Sequence, residues 1–190
     1  MIVSKFGGTS VGSAENIKKV IRIVSEKKEK TVVVVSALGG VTNLLIKASE
    51  LALANDTAFI ALIDDIEKRH FEAIEGLLDH DHQTVCKAEV AKTMNELKEV
   101  LSGVSLLNDL SDKSAARIVS TGEILSSFII YRTMLQEKLD ASLFDSRNLI
   151  KTKGDFLNAA VDYALSFKNI HAHLSENKAK VQILPGFIAS

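Results

Sequence analysis

The stretch that decides the fold is Lys5-Phe6-Gly7-Gly8-Thr9-Ser10-Val11-Gly12-Ser13. Its first residues continue the β-branched segment Ile2-Val3-Ser4, and together they predict a short strand. Two adjacent glycines then break the strand, because glycine allows backbone conformations that a Cβ would forbid. After Ser13, apolar residues recur at helical spacing, at Ile17, Val20, Ile21 and Val24. The stretch therefore predicts a strand, a glycine turn and a helix in succession.

A strand, a glycine turn and a helix can present backbone N–H groups and a helix N-terminus to an anion. Lys5 at the end of the strand and the hydroxyls of Thr9 and Ser10 suit a phosphate polyanion. A tight turn beside an exposed lysine is the structural alternative at this point.

Two familiar phosphate loops fit this stretch poorly. The dinucleotide fingerprint needs G-x-G-x-x-G and an acidic residue about 20 positions later, whereas here the glycines are adjacent and the next strand ends in Ser36-Ala37. The P-loop needs a lysine directly after its last glycine, where this chain has Ser13. The lysine precedes the glycines instead.

Composition limits the classes of protein to consider. The chain has 190 residues, enough for one sizeable core, and we expect one domain. Its 23 basic and 24 acidic residues leave no charge excess that would favour nucleic acid or an anionic membrane as a partner. The single Cys86 excludes an internal disulfide framework. We expect a soluble, cytoplasmic protein without a membrane segment.

The chain alternates between strands and helices. Four consecutive valines in 31–35 predict a buried parallel strand, which ends in a second small, hydroxyl-bearing loop at 36–43 and leads into a helix. Further strands are predicted at 141–145 and 181–184. Such an α/β chain predicts a parallel sheet whose loops meet at one carboxyl edge, where these sheets bind ligands.

The remaining segments are predicted to be helical. Residues 56–110 form a helical excursion from the sheet, with a second helix over 87–101 and the connecting turn at 77–83. Another helix is predicted to begin at the cap Asp155 and to continue through Leu157, Val161 and Leu165. His80 and His82 are two residues apart, as are His171 and His173. Because that spacing places both rings on one face only in a strand, and these pairs are expected in helices or turns, it predicts no metal site.

A helix rich in small residues is predicted over 114–128, with Ser111 or Asp112 as its cap. Gly122 inside it should cost about 1 kcal/mol relative to alanine, which predicts that another part of the chain approaches closely there. The adjacent Glu123 is expected at the surface or in a pair, because an unpaired buried charge is costly.

The block Lys5-Phe6-Gly7-Gly8-Thr9-Ser10 resembles the signature of aspartate kinases, within the amino acid kinase superfamily. The resemblance continues in the family's order through 36–45, Ser120-Thr121-Gly122-Glu123, Phe144-Asp145-Ser146-Arg147 and Pro185-Gly186-Phe187. These blocks span the whole chain. The resemblance implies a three-layer α/β/α sandwich with a mainly parallel sheet, in agreement with the α/β pattern described above.

The activity that the resemblance implies is transfer of the γ-phosphoryl group of ATP to the side-chain carboxylate of L-aspartate. The product would be 4-phospho-L-aspartate, the first intermediate of lysine, threonine and methionine biosynthesis. An aspartate side chain has an ordinary pKa of about 3.9, so the nucleophile is ionised at neutral pH and needs no general base. Positioning and positive charge must then do the catalysis.

The resemblance also implies roles for individual residues. Lys5 is the expected catalytic residue, and the phosphates of ATP would be bound by Lys5, Gly7, Gly8, Thr9 and Ser10. Mg²⁺ would bridge those phosphates through oxygen ligands and water, with no protein metal ligand identified. The substrate would be bound by Ser36, Thr42, Glu123, Gly186 and Phe187, with Glu123 on the α-ammonium group.

Members of the family continue, after the Pro-Gly-Phe block, with a glycine-rich loop, a nucleotide-binding part and ACT domains. We therefore expect residues 1–190 to be the N-terminal part of one catalytic domain, inactive when alone, from an enzyme that forms a homo-oligomer. Two alternatives stay open. One is another amino acid kinase acting on glutamate or acetylglutamate, and the other is a non-catalytic ligand-binding module of the same fold.

Overall fold

The computed structural model describes residues 1–154, 156 and 159–190. Its strands are β1 (Ile2–Phe6), β2 (Thr31–Val35), β3 (Ala141–Leu143), β4 (Thr152–Lys153), β5 (Ala160–Val161) and β6 (Val181–Pro185). Its helices are α1 (Ala14–Ser25), α2 (Val41–Leu53), α3 (Phe59–Leu77), α4 (His80–Leu107), α5 (Asp112–Gln136), α6 (Ser146–Leu149) and α7 (Tyr163–Glu176).

Four strands form a parallel sheet in the order β1-β2-β6-β3. In its register, Phe6 lies opposite Val35, and Val35 lies opposite Pro185. The carboxyl ends of β1, β2 and β6 are therefore level, which places the loops that follow them side by side. The α/β prediction with a parallel sheet is confirmed.

Helices cover both faces of the sheet. Val33, Val35 and Ile183 are buried on one face, towards α5. The connection from β3 to β6 crosses the sheet in the direction opposite to the connections from β1 to β2 and from β2 to β3. A right-handed crossover in that direction places α7 on the opposite face. There, His173 Nε2 on α7 lies 3.2 Å from Gln182 Oε1 on β6. The result is the three-layer sandwich that the family resemblance implies.

Helix α5 is the central helix of the core. Twelve of its residues are buried, including the large side chains Ile118, Leu125, Ile129, Ile130 and Met134. Ser111 caps it by accepting a hydrogen bond from Ser114 N–H at 3.2 Å. Among the helices formed by the described residues, none combines the length and apolar character that crossing a bilayer requires.

The α3–α4 hairpin differs from the prediction at its turn. Helix α4 begins at His80 rather than at position 87, because the Asp79 side chain caps it by accepting from His82 N–H at 3.0 Å. The first turns of α4 are polar, so apolar periodicity does not reveal them. The helix ends at Leu107, and its C-cap residue Asn108 adopts a left-handed conformation with φ 50°.

The predicted helix after position 155 also differs. Asp155 and Leu157 lie outside the described residues, and Val161 belongs to strand β5, which pairs antiparallel with β4. Helix α7 begins only at Tyr163, where Asp162 caps it by accepting from Leu165 N–H at 3.1 Å. The predicted helix start was wrong because Asp162 provides a second acidic cap further along the chain.

Candidate active site

The glycine loop between β1 and α1 is closed by its own backbone. Ser10 and Val11 donate their N–H groups to the carbonyl of Gly7, at 2.9 and 3.2 Å. Within the described part of the chain, we find no acceptor for the N–H groups of Gly7, Gly8 and Thr9. The turn therefore leaves backbone donors for an anion.

Asn16 fastens this loop to α1. Its side-chain amide donates to the carbonyl of Thr9 at 3.1 Å, and its backbone N–H donates to the capping hydroxyl of Ser13 at 3.2 Å. Sequence reasoning missed Asn16. A polar residue in the first turn of a helix is the only signal, and that signal does not distinguish a loop contact from solvent exposure.

The loops after β1 and β2 meet backbone to backbone. Within the loop after β1, a Cβ atom on Gly12 would lie 3.0 Å from the carbonyl oxygen of Gly8. A Cβ atom on Gly39 would lie 3.2 Å from the Cα of Gly12. Glycine is required here by close approach rather than by φ, so the two loops form one continuous surface at the carboxyl edge.

Lys5 lies at the end of β1, opposite Val34 and on the sheet face turned away from α5. It is exposed, and within the described residues its side chain forms neither an ion pair nor a hydrogen bond. A lysine with no protein partner is available to an anionic ligand at the adjacent glycine turn.

Glu123 approaches the same edge from the other face. Only 5% of its surface is exposed, and Oε1 accepts a hydrogen bond from Ala37 N–H at 3.3 Å. Oε2 is buried without a hydrogen-bond partner in the part of the chain that is described. Burial raises the pKa of this carboxyl group, and the Ala37 N–H opposes the rise.

The expectation that Glu123 would be at the surface or paired was wrong. Its carboxylate is buried, and among the described residues the donor from outside α5 that reaches it is Ala37 N–H, because α5 packs directly beneath the loop after β2. A buried carboxylate oxygen without a donor is costly and marks a place for a cationic or hydrogen-bond-donating ligand.

Gly122 explains how α5 comes so close. A Cβ atom there would lie 2.8 Å from the Cβ of Ala37 and 3.2 Å from Cγ1 of Val41. The prediction of a close approach at Gly122 is confirmed. This contact brings the next residue, Glu123, within hydrogen-bonding reach of the loop.

Ser36 and Thr42 lie at the two ends of the loop after β2. Ser36 is half-buried, and its N–H donates to the carbonyl of Phe6 at 3.1 Å, which joins it to the end of β1. Thr42 is half-buried in the first turn of α2. Ser36 therefore adjoins the end of β1, whereas Thr42 lies one residue into α2.

Gly186 and Phe187 follow β6. Gly186 is buried and donates its N–H to the carbonyl of Val35 at 2.7 Å, and a Cβ there would lie 3.0 Å from Cγ1 of Val34. Phe187 has φ 59° and a fully exposed side chain. The structure thus brings Gly186 to the edge beside β2 and leaves the Phe187 ring in solvent.

The turn between β3 and α6 contains an ion pair. Arg147 donates to Asp145 in a bidentate arrangement, with Nε to Oδ1 at 2.9 Å and Nη2 to Oδ2 at 2.6 Å. The guanidinium group holds the pKa of Asp145 below its ordinary value. Ser146 Oγ donates to the carbonyl of Pro185, which ties this turn to the end of β6.

The family model described as the amino acid kinase family matches residues 1–190. Among curated proteins, the chain is 31% identical to the bifunctional aspartokinase/homoserine dehydrogenase of Buchnera aphidicola, over 100% of this chain and 24% of that protein. It is 30% identical to the aspartokinase of Chlamydia trachomatis, over 100% of this chain and 40% of that protein.

Solved structures give the same result. Escherichia coli aspartokinase III in complex with lysine and aspartate matches with a TM-score of 0.90 at 27% identity. The same enzyme in complex with aspartate and ADP matches with a TM-score of 0.88 at 26% identity. Each match covers 100% of this chain and 41% of the other chain, so the protein spans well under half of these relatives. The chain belongs to the amino acid kinase family, and its whole length is similar to the aspartokinases of that family.

Proposed function

We propose that this protein is an aspartate kinase, which transfers the γ-phosphoryl group of ATP to the side-chain carboxylate of L-aspartate. The observation that carries the proposal is the buried Glu123 carboxylate, with one oxygen lacking a donor, at the same sheet edge as the exposed Lys5 and the glycine turn. One edge thus offers a group for a cation and groups for anions. An amino acid with an anionic side chain, together with a nucleoside triphosphate, offers one ammonium group for Glu123 and several anionic groups for Lys5 and the glycine turn.

In this proposal the phosphates lie over the glycine turn. The N–H groups of Gly7 and Gly8 and the Lys5 ammonium neutralise charge on the transferring phosphoryl group, and Thr9 and Ser10 add hydroxyl contacts. The similar structure that contains ADP supports a nucleotide as the ligand. Because its nucleophile is already ionised, the reaction requires no catalytic base from the protein.

Mg²⁺ would accompany the nucleotide. Within the described residues, no group of three or more His, Cys, Asp or Glu side chains could hold a metal ion. In this proposal the ion would be bound by phosphate oxygens and water, as Mg²⁺ often is in phosphoryl-transfer sites. When bound, the ion would neutralise phosphate charge.

The amino acid would lie between Glu123 and the glycine turn. Its α-ammonium group would pair with Glu123 Oε2, while Ser36 and Thr42 offer hydroxyls and the turn at Gly186-Phe187 borders the site. An acylated amine such as that of N-acetylglutamate carries no positive charge, so it would leave the buried carboxylate unpaired. This consideration favours a free amino acid over an acetylglutamate substrate.

The test is a substrate panel with the purified intact protein, ATP and Mg²⁺. Acyl phosphate formation is trapped as the hydroxamate for L-aspartate, L-glutamate and N-acetyl-L-glutamate. We expect product with L-aspartate and at least tenfold lower kcat/KM with the other two. A higher kcat/KM for either competitor would overturn the assignment, and no product with any of the three would favour a non-catalytic binding module.

A further inference from the structure

Helix α5 holds a single peptide group of the loop after β2 from both sides. The hydroxyl of Ser126 donates to the carbonyl oxygen of Ser36 at 2.6 Å. The N–H of Ala37, which belongs to the same peptide group, donates to Glu123 Oε1 at 3.3 Å. Both hydrogen-bonding groups of the Ser36–Ala37 peptide are thus satisfied by two side chains of one helix.

Ser126 is built into this position. Its side chain is fully buried, with 0% exposure, and it stands three residues after Glu123 on the same face of α5. The hydroxyl also lies 3.2 Å from the backbone carbonyl of Glu123, so it can donate within its own helix as well. The shorter contact is the one to the loop.

We propose that Ser126 is a positioning residue for Glu123, which holds the Ser36–Ala37 peptide so that its N–H and not its C=O faces the carboxylate. The consequence for amino acid binding rests on the proposed function. With Oε1 occupied by Ala37 N–H, only Oε2 is left for a ligand, and Glu123 presents a defined acceptor.

Loss of the Ser126 hydroxyl would leave the partly buried Ser36 carbonyl without its donor, which is costly. The peptide would then gain by rotating towards another donor, and rotation would carry the Ala37 N–H away from Glu123. The carboxylate would lose its one donor and face the negative end of a carbonyl dipole. Its negative charge would become less favourable, so it would bind a proton more readily and an ammonium group less well.

The first experiment measures Glu123 directly in the intact, ligand-free protein. Carbon-13 NMR of glutamate carboxyl groups, with Glu123 assigned by its absence in Glu123→Gln, follows the titration of this residue. We expect Ser126→Ala to move the titration to higher pH. Ser127→Ala is the matched control, because Ser127 is also buried in α5 but donates to Ile124 within its own helix. We expect that variant to titrate as the wild type does.

The second experiment measures kinetics with L-aspartate. We expect Ser126→Ala to raise KM for the amino acid about tenfold, as the loss of one buried hydrogen bond predicts, while kcat and KM for ATP stay within about twofold. Ser126→Cys keeps the shape of the side chain, in a somewhat larger form, but supplies only a weak donor, so it should shift both measurements in the same direction. It replaces the alanine variant if that variant fails to fold.

An unchanged Glu123 titration in the folded Ser126 variants would overturn the positioning role, whatever reaction the protein catalyses. An equal shift in Ser127→Ala would also overturn it, because the effect would then belong to α5 in general. A shifted titration in a protein that shows no activity towards L-aspartate would retain the positioning role and reject the proposed substrate, so the two failures are distinguishable.

Discussion

Gly122 on α5 and Ala37 in the loop after β2 pack with no room for a side chain between them, since a Cβ atom on Gly122 would lie 2.8 Å from the Cβ of Ala37. This contact sets the depth at which Glu123 lies beneath the loop. Both Ala37 and the backbone of α5 are rigid neighbours, so a methyl group at position 122 cannot be accommodated by turning a flexible side chain.

Gly122→Ala should therefore destabilise the protein, although alanine is the better helix former. Overpacking typically costs about 1–3 kcal/mol, and the gain in helix propensity returns at most about 1 kcal/mol. Chemical denaturation measures the difference. Gly103→Ala in α4 is the control, because a Cβ there meets nothing within 4 Å, and it should stabilise by about 0.5–1 kcal/mol. Equal stabilisation by both substitutions would contradict the close packing at Gly122.

Lys5→Met should abolish most of the activity without affecting the fold. Removal of one positive charge from a phosphoryl-transfer site should lower kcat on the order of 100-fold or more. Because Lys5 is exposed and unpaired among the described residues, the free energy of unfolding should change by less than about 0.5 kcal/mol. Lys18→Met, at an exposed position of α1, should leave kcat unchanged. Wild-type kcat in Lys5→Met would remove Lys5 from the catalytic role.

Glu123→Gln should change the pH dependence of stability in the ligand-free protein. Burial raises the pKa of Glu123 in the folded state, so the folded protein binds this proton more tightly than the unfolded chain does. Its contribution to stability is greatest below the ordinary pKa of a glutamate and is lost as pH rises through the raised folded pKa. Wild-type stability relative to Glu123→Gln should therefore fall as pH increases across that window. Denaturation at a series of pH values measures the difference in the free energy of unfolding between the two proteins. A difference that does not change with pH would contradict a buried Glu123 whose charged form is destabilised.

Asp145→Asn should show the opposite pH dependence. Arg147 holds the pKa of Asp145 below its ordinary value, so the carboxylate stabilises the fold above the ordinary pKa of an aspartate and loses that effect as pH falls through the lowered folded pKa. Because asparagine also caps helices well, the substitution removes the charge of Asp145 but keeps an N-cap on α6. The pair is partly exposed, so we expect a cost of only about 0.2–1 kcal/mol at neutral pH, smaller at high salt. A cost that persists at low pH would show that the charge is not its source.

Local pattern was a good guide where one physical preference dominated. Four consecutive valines predict burial on both faces, and β2 indeed lies inside the sheet, between β1 and β6, although Val33 and Val35 are buried and Val32 and Val34 only half-buried. Gly122 interrupts a helix at a cost, and the close contact that this cost implied is present. The predicted helix starts were wrong where a single N-cap residue determined them, as Asp79 does for α4 and Asp162 for α7. Many acidic residues along the chain could fill that role, and the sequence does not distinguish between them.

The sequence by itself determined the alternation of strands and helices, the glycine turn after β1 and the resemblance that led to the amino acid kinase family. These are properties of neighbouring residues and of short blocks, which spacing and residue type record directly. Only the tertiary structure determined the burial of Glu123 and its hydrogen bond from Ala37 N–H, the hydrogen bond from Asn16 to Thr9, and the hydrogen bond from Ser126 to the Ser36 carbonyl. Glu123 and Ser126 meet their partners across 86 and 90 positions of the chain, so the depth to which α5 packs beneath the loop, and not any local preference, determines what each side chain contacts.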